Sequence, residues 1–72
     1  MNNIKNINNE ILKFNDTIII YLNSEEFQTF NVSYYMDSMD IINQINEIVY
    51  YNNEYKITYN ILKGGIYEEE QN

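Results

Sequence analysis

Residues 17 to 35 read TIIIYLNSEEFQTFNVSYY, and this stretch decides the fold. Residues 17 to 22 are β-branched, aliphatic and aromatic, which is typical of a buried strand. Residues 27 to 35 alternate at the strand period, so we expect two faces: Phe30, Val32 and Tyr34 on one, and Asn31, Ser33 and Tyr35 on the other. The polar NSEE between the two segments supplies a turn. The stretch therefore predicts a β-hairpin.

The segment before the hairpin carries apolar residues at helical spacing. A helix over residues 3 to 14 would present one apolar face with Leu12 beside it. Asn15-Asp16 then breaks the pattern. The residues on that predicted face are Ile4, Ile7, Ile11 and Phe14.

A second helical pattern follows the hairpin. Asp37 suits the N-cap position, and Asp40 stands three residues on, near the positive end of the helix. An apolar stripe then runs along one helical face, and Asn52-Asn53 ends the pattern. The residues of this stripe are Ile41, Ile42, Ile45, Ile48 and Val49.

The last part of the chain predicts a further strand over residues 55 to 62, with Ile57, Tyr59 and Ile61 on one face. Lys63-Gly64-Gly65 is a turn signal, and Ile66-Tyr67 can begin a short return strand in which Tyr67 pairs with Ile61. We therefore predict an α+β fold, in which a small antiparallel sheet of three to four strands has two helices packed on one face. The expected order is α-β-β-α-β, with an optional last strand.

Length and composition predict one small acidic domain over residues 1–72. Without cysteine the chain has no disulfide and no thiolate zinc site. A hydrophobic content of 44% predicts a folded core. No signal-peptide pattern opens the sequence, and TIIIYL is too short to span a membrane. A cytoplasmic location is expected, in a host cell if the chain is phage-encoded.

The charge balance points to the kind of partner. Eleven acidic residues stand against four lysines, without arginine, and give a net charge of −7. Binding to nucleic acid or to an anionic membrane needs Lys and Arg, so neither is expected. A basic protein surface is the expected partner.

Catalytic chemistry is poorly represented. The chain has no His and no Cys, which removes the commonest general base and the strongest nucleophile. Gly64-Gly65 lacks the spacing of a phosphate-binding loop, and no stretch fits a calcium loop. We expect no enzyme, no cofactor and no metal site.

The acidic and aromatic residues supply the candidate site. Tyr34, Tyr59 and Tyr67 are expected on core faces, whereas Tyr35, Tyr50, Tyr51 and Tyr55 are hard to bury together. Exposed tyrosine anchors interfaces, and Arg stacks on its ring. Asp37 and Asp40 also have a purely structural interpretation at the helix start, and Glu25-Glu26 is expected in the turn. The predicted partner-binding residues are Glu25, Glu26, Tyr35, Asp37, Asp40, Glu54, Tyr67, Glu68, Glu69 and Glu70.

The closing GGIYEEEQN, residues 64 to 72, has two interpretations. Alternate residues of a continuing strand lie about 6.6 Å apart, which would set Glu68 and Glu70 in a row of like charge. Alternatively, the last residues of a small domain fray, and their charge keeps the protein soluble. Both interpretations stay open.

MNNIKNINNEILKFNDTIIIYL and SMDIINQINEIVYYNNEY resemble, in element type, segments of the small acidic phage-encoded anti-CRISPR proteins. The resemblance rests on size, acidity, absence of cysteine and element order over most of the chain. It includes no specific motif, so it assigns no contact residue. It implies a stoichiometric inhibitor that binds the basic groove of a CRISPR effector complex as a nucleic-acid mimic.

Two alternatives fit the same sequence. An immunity protein or antitoxin against a cellular nuclease fits the same charge and size. A small structural or regulatory protein that forms a homodimer would instead use its exposed tyrosines to pack across a two-fold axis.

Overall fold

The computed structural model describes residues 1–64, and these form an α+β fold, as predicted. The described strands make one antiparallel sheet, in the spatial order Asn2–Asn3 (β1), Ile57–Leu62 (β4), Thr17–Leu22 (β2) and Glu25–Asn31 (β3). The helical segments are a short 3-10 helix and one longer helix, α1. In chain order the elements are β1 (Asn2–Asn3), the 3-10 helix (Ile4–Asn9), β2 (Thr17–Leu22), β3 (Glu25–Asn31), α1 (Ser38–Tyr51) and β4 (Ile57–Leu62).

The hairpin of β2 and β3 confirms the central prediction, but its turn is shorter than expected. Asn23 and Ser24 alone form it, with φ of 52° and 72°. Positive φ at both positions matches the right-handed twist of the paired strands. Glu25 and Glu26 therefore belong to β3, and their predicted place in the turn was wrong.

One residue of β3 is unmatched on β2. Ile20 pairs with Gln28, and the next residue, Tyr21, pairs with Glu26. Phe27 is the extra residue of this β-bulge, and its side chain is half exposed. A bulge bends its strand and increases the local twist, so the start of β3 departs from a flat edge.

The core lies on one face of the sheet. Ile18, Ile20 and Tyr59 are fully buried on this face, and both helical segments contribute to the same cluster. Fully burying one such side chain stabilises the fold by about 1.5–3 kcal/mol. The helical segments and the loop after the 3-10 helix contribute Ile7, Leu12, Ile41 and Ile45.

Helix α1 begins and ends as the sequence predicts. The Asp37 carboxylate accepts a hydrogen bond of 2.9 Å from the Asp40 N–H, which caps the first turn. Ile41 and Ile45 face the core. At the other end, the Asn52 side chain donates to the Ile48 carbonyl at 2.8 Å. No helix within residues 1–64 is long and apolar enough to cross a membrane.

The predicted helix over residues 3 to 14 was wrong. Asn2–Asn3 pairs with β4, and the helical part is a 3-10 helix that stops at Asn9. Glu10 then takes extended dihedral angles, φ −79° and ψ 145°. In the segment without regular structure that follows, Leu12 is buried, whereas Ile11 is 75% exposed. Phe14, also predicted on the helical face, is half exposed.

Tyr34 was expected in the core and is 91% exposed. β3 ends at Asn31, so the strand alternation does not reach Tyr34. Ser33 and Met36 exchange backbone hydrogen bonds and close a turn, which holds Tyr34 and Tyr35 at its tip. The Tyr34 ring contacts the Phe14 ring at a centroid distance of 4.9 Å.

The return strand predicted at Ile66-Tyr67 lies outside the described residues, as does the pairing of Ile61 with Tyr67. Gly64 is described, and it lies against the backbone of Asn15. A Cβ at this position would overlap the main-chain oxygen of Asn15. Glycine is required here by the close approach of two backbones.

Candidate functional site

Two carboxylates turn inward and are satisfied within the fold. Asp16, 2% exposed, accepts hydrogen bonds from the Lys13 N–H at 2.9 Å and the Gly64 N–H at 3.1 Å, and pairs with the Lys63 ammonium at 3.4 Å. Burial alone would raise the pKa of Asp16. The backbone donors of Lys13 and Gly64 and the Lys63 charge outweigh burial, and the pKa lies below its ordinary 3.8.

The other inward carboxylate is Glu10, which accepts a hydrogen bond of 2.5 Å from the Tyr59 hydroxyl. Tyr59 is fully buried under it. Burial, which has the larger effect, and the Glu10 carboxylate together raise the pKa of Tyr59 from 10.0 to about 12. The phenol therefore stays protonated and donates to Glu10, which ties the loop after the 3-10 helix to β4.

The remaining carboxylates within residues 1–64 are exposed. The single ion pair in this part of the chain is that of Lys63 with Asp16, so no lysine neutralises them at contact distance. No group of three or more His, Cys, Asp or Glu residues in the same part could hold a metal ion. The exposed carboxylates are those of Glu25, Glu26, Asp37, Asp40, Glu47 and Glu54.

One set of predicted site residues lies where the start of β3 faces the C-terminal end of α1. Two separate depressions, of about 250 and 220 Å³, adjoin β3, and together we call them the β3–α1 groove, although α1 lines only the first. Gln28, Gln44, Glu47, Ile48, Tyr51 and Asn52 line the first. Leu22, Asn23, Glu25, Glu26, Phe27 and Tyr55 line the second. The groove thus contains Glu25 and Glu26 of the predicted site, and Glu54 lies in the turn beside it.

The other set lies at the opposite end of α1, and we call it the turn end. It comprises the predicted Tyr35, Asp37 and Asp40, with Tyr34 beside them. Tyr35 is 97% exposed. A helix of 14 residues separates the two sets by roughly 20 Å, from its rise per residue. The predicted Tyr67, Glu68, Glu69 and Glu70 lie outside the described residues.

The lysines are distributed unevenly around these two sets. Lys13 and Lys63 flank Asp16, and Lys5 stands on the 3-10 helix, which packs against β1 and β4. Lys56 precedes β4, beside the Asn23 turn, and makes no ion pair with any of residues 1–64. The groove therefore has several carboxylates around it against a single nearby lysine.

Aromatic side chains accompany the acids at both ends. Tyr35, Tyr50, Tyr51 and Tyr55 were expected to be exposed, and the structure confirms this. Tyr50 and Tyr51 contact each other edge-to-face, at a centroid distance of 5.0 Å. Large, exposed rings next to carboxylates can receive a guanidinium group on the ring face while the carboxylate binds its N–H groups.

Sequence reasoning left Phe27, Glu47 and Tyr51 out of the predicted site. Helical spacing could have found two of them, because Glu47 and Tyr51 are four residues apart and share a face of α1 with Gln44. Phe27 offered no such signal. Its position depends on the β-bulge, which the alternation of β3 does not reveal.

No family model, no curated protein and no solved structure matches this chain. Function is therefore inferred from the charge, exposure and geometry of the described residues.

Proposed function

We propose that this chain is a non-catalytic, stoichiometric inhibitor that binds the basic nucleic-acid-binding surface of a nuclease. An RNA-guided nuclease is the target that we favour, and the chain would then act as an anti-CRISPR protein. The observation that carries the proposal is the set of exposed carboxylates without an ion-pair partner in residues 1–64, interleaved with exposed tyrosines. We infer that the partner supplies the missing cations.

The spacing of the acids suits a surface that normally holds a phosphate backbone. Asp40 and Glu47 stand seven residues apart on α1, which is two turns on one face, or about 10 Å. Glu25 and Glu26 add charge on the neighbouring strand. A channel for a guide–target duplex presents rows of Lys and Arg to phosphates, and carboxylates at such intervals can occupy several of those cations together.

Charge alone would not give tight binding. An exposed ion pair contributes about 0–1 kcal/mol, so the carboxylates act mainly on the rate of encounter and on the choice of partner. Affinity is expected from aromatic side chains that become buried, of which Tyr35 and Tyr51 are the most exposed at the turn end and in the groove. We therefore expect association to be fast and sensitive to salt. We also expect removal of the Tyr35 or Tyr51 ring to raise the dissociation rate.

The test is a binding measurement with a purified RNA-guided nuclease, at salt concentrations from about 50 to 500 mM, followed by competition with its target DNA. We expect one inhibitor per nuclease, an association rate that falls steeply with salt, and loss of DNA binding. The triple variant Glu25→Gln/Glu26→Gln/Glu47→Gln removes charge beside the groove. The double variant Asp37→Asn/Asp40→Asn removes charge at the turn end and keeps the helix cap, since Asn also caps.

A drop in association rate for either variant, at unchanged melting temperature, supports the proposal and shows which end makes contact. An association rate that is the same in low and high salt for the unaltered protein would overturn it. So would DNA that stays bound to the nuclease in the presence of saturating inhibitor.

The immunity or antitoxin alternative belongs to the same class of function. It differs only in the nuclease, which would be a cellular toxin. A toxin gene beside the gene for this chain favours that alternative, whereas phage genes favour an anti-CRISPR role.

Self-association is the second candidate, and the outer face of the sheet favours it. This is the face opposite the core, and it carries Thr, Asn, Ile, Tyr and Leu with a single charged strand residue, Glu26. A face with a single charged strand residue, on a chain of net charge −7, could pack on a second copy. Light scattering after size exclusion tests this. A dimer that buries Glu25, Glu26 and Glu47 contradicts inhibition.

A further inference from the structure

We propose that β3 is a docking edge, on which an extended, basic segment of the partner adds to the sheet as a further strand. The proposal rests on the proposed function, because it takes the partner to be a basic protein. It adds the mode of recognition: main-chain pairing along β3, with side chains of the segment entering the β3–α1 groove.

The first observation is that β3 is the long open edge of the described sheet. It pairs with β2 on one side only, and six of its seven residues are exposed. In an antiparallel sheet, alternate residues of an edge strand direct their N–H and C=O groups away from the neighbouring strand. The opposite side of the sheet is different, because β1 and the 3-10 helix both contact β4 there.

The glutamates on and beside β3 favour a basic strand as the partner segment. Glu25 and Glu26 stand on the edge itself, and Glu47 faces it from α1 across the first depression. None of them has a cation at ion-pair distance within residues 1–64. An added strand with Lys or Arg would gain these contacts, whereas an acidic or neutral strand would not.

The two depressions give places for side chains of such a strand. One lies beside Gln28 and the other beside Glu25, Glu26 and Phe27, so both adjoin the same short run of β3. Alternate side chains on one face of a strand are about 6.6 Å apart, which lets neighbouring positions on that face enter one depression each. Tyr51 and Tyr55 line these depressions and can stack on a guanidinium group.

A second copy of this chain fits the edge poorly. A second β3 carries the same two glutamates, Glu25 and Glu26, and no lysine. Pairing of two β3 strands would therefore bring like charges together. Within the described sheet, this edge therefore disfavours a second copy of the chain and favours a strand of opposite charge.

The experiment uses a synthetic peptide of about ten residues with alternating arginine and valine. Nuclear magnetic resonance of the full-length protein follows hydrogen exchange of the β3 amides during titration. We expect slower exchange at alternate β3 amides and contacts from peptide to β3 backbone protons. A matched peptide with the same side chains and N-methyl groups on alternate amides keeps the charge but cannot pair as a strand. It should bind at least about tenfold more weakly.

Two protein variants separate the edge from the rest of the acidic surface. Glu25→Gln/Glu26→Gln should weaken binding of the arginine–valine peptide more than Asp37→Asn/Asp40→Asn, which removes the same charge at the other end of α1. Equal affinity for the two peptides, with no protection of β3 amides, overturns strand addition even if the protein still binds a nuclease. Failure of the proposed function gives a different result: the protein does not bind the nuclease, whether or not it binds the peptide.

Discussion

Gly64 and Asp16 fix the place where the loop before β2 meets the end of β4. The Asp16 carboxylate holds the Gly64 N–H, and the Asn15 side chain donates to the Gly64 carbonyl at 3.2 Å. The backbones approach so closely that the space for a Cβ on Gly64 is already filled by Asn15. The absence of a Cβ at Gly64 is therefore what allows the two backbones to lie this close.

Gly64→Ala should lower the free energy of unfolding by about 1–3 kcal/mol, because the added methyl must push two backbones apart. Urea denaturation checks the prediction. Asn43→Ala adds an alanine on the exposed face of α1 and serves as the control, with an expected change within about 0.5 kcal/mol. If the two variants are equally stable, the junction is looser than its geometry indicates.

The buried pair of Tyr59 and Glu10 predicts a loss of stability at alkaline pH. The pKa of Tyr59 is raised from 10.0 to about 12, so its contribution is complete below pH 10 and is lost as the pH rises towards 12. This change corresponds to on the order of 3 kcal/mol. Tyr59→Phe removes the titrating group and should flatten the stability curve between these pH values, while it lowers stability at neutral pH by only about 1 kcal/mol. Denaturant melts of both proteins from pH 7 to about 12 make the comparison. A curve of the same slope in the variant would place the alkaline transition at another group.

Elements with a strong local signal were predictable. β2 has six apolar or β-branched residues in a row, and α1 combines the Asp37 cap with a stripe that ends at Asn52, so both were placed correctly. The segment before β2 has the spacing of a helix but lacks good helix formers at Asn8 and Asn9, and tertiary contacts decide its course. Glu10 reaches Tyr59 from an extended backbone, which a helix through residue 14 would not permit.

The hairpin turn offers a prediction at the scale of the element. Ser24 has a φ of 72°, and a non-glycine residue in this region costs about 1 kcal/mol. Ser24→Gly should therefore raise the free energy of unfolding by about 0.5–1 kcal/mol. Thermal or urea denaturation will show this, with Ser38→Gly as the control, because a glycine at the first residue of α1 should not stabilise. A less stable Ser24→Gly protein would mean that the Ser24 side chain contributes contacts of its own.

The candidate site was less predictable than the elements. Composition identified the exposed acids and tyrosines, and Tyr35, Tyr50 and Tyr51 are exposed as expected. Composition could not show which of them are neighbours. That depends on the course of α1, which sets Glu47 and Gln28 of β3 around the same depression, and on a β-bulge that the alternation of β3 does not reveal.

At the scale of the whole molecule, a net charge of −7 acts against the compact state. Most carboxylates of residues 1–64 are exposed and unpaired, so their mutual repulsion is open to screening by salt. We expect sodium chloride at pH 7 to raise the melting temperature. Differential scanning calorimetry from about 10 to 500 mM salt checks this, and the groove variant Glu25→Gln/Glu26→Gln/Glu47→Gln should respond less. A melting temperature that does not change with salt would show that the acids are too dispersed to repel one another.

The junction at Asp16 also bears on the order in which the molecule folds. Its contacts with Lys63 and Gly64 join positions 47 and 48 residues apart, whereas the turn at Asn23 joins immediate neighbours. Closing a long loop has a higher entropic cost than closing a short one, so the β2–β3 hairpin is expected before the rate-limiting barrier and the junction after it. In stopped-flow experiments, Asp16→Asn should accelerate unfolding and leave the refolding rate nearly unchanged, and equal effects on both rates would contradict this order. The closure at Asp16 would then set how long each molecule stays folded, while the hairpin sets how soon it folds.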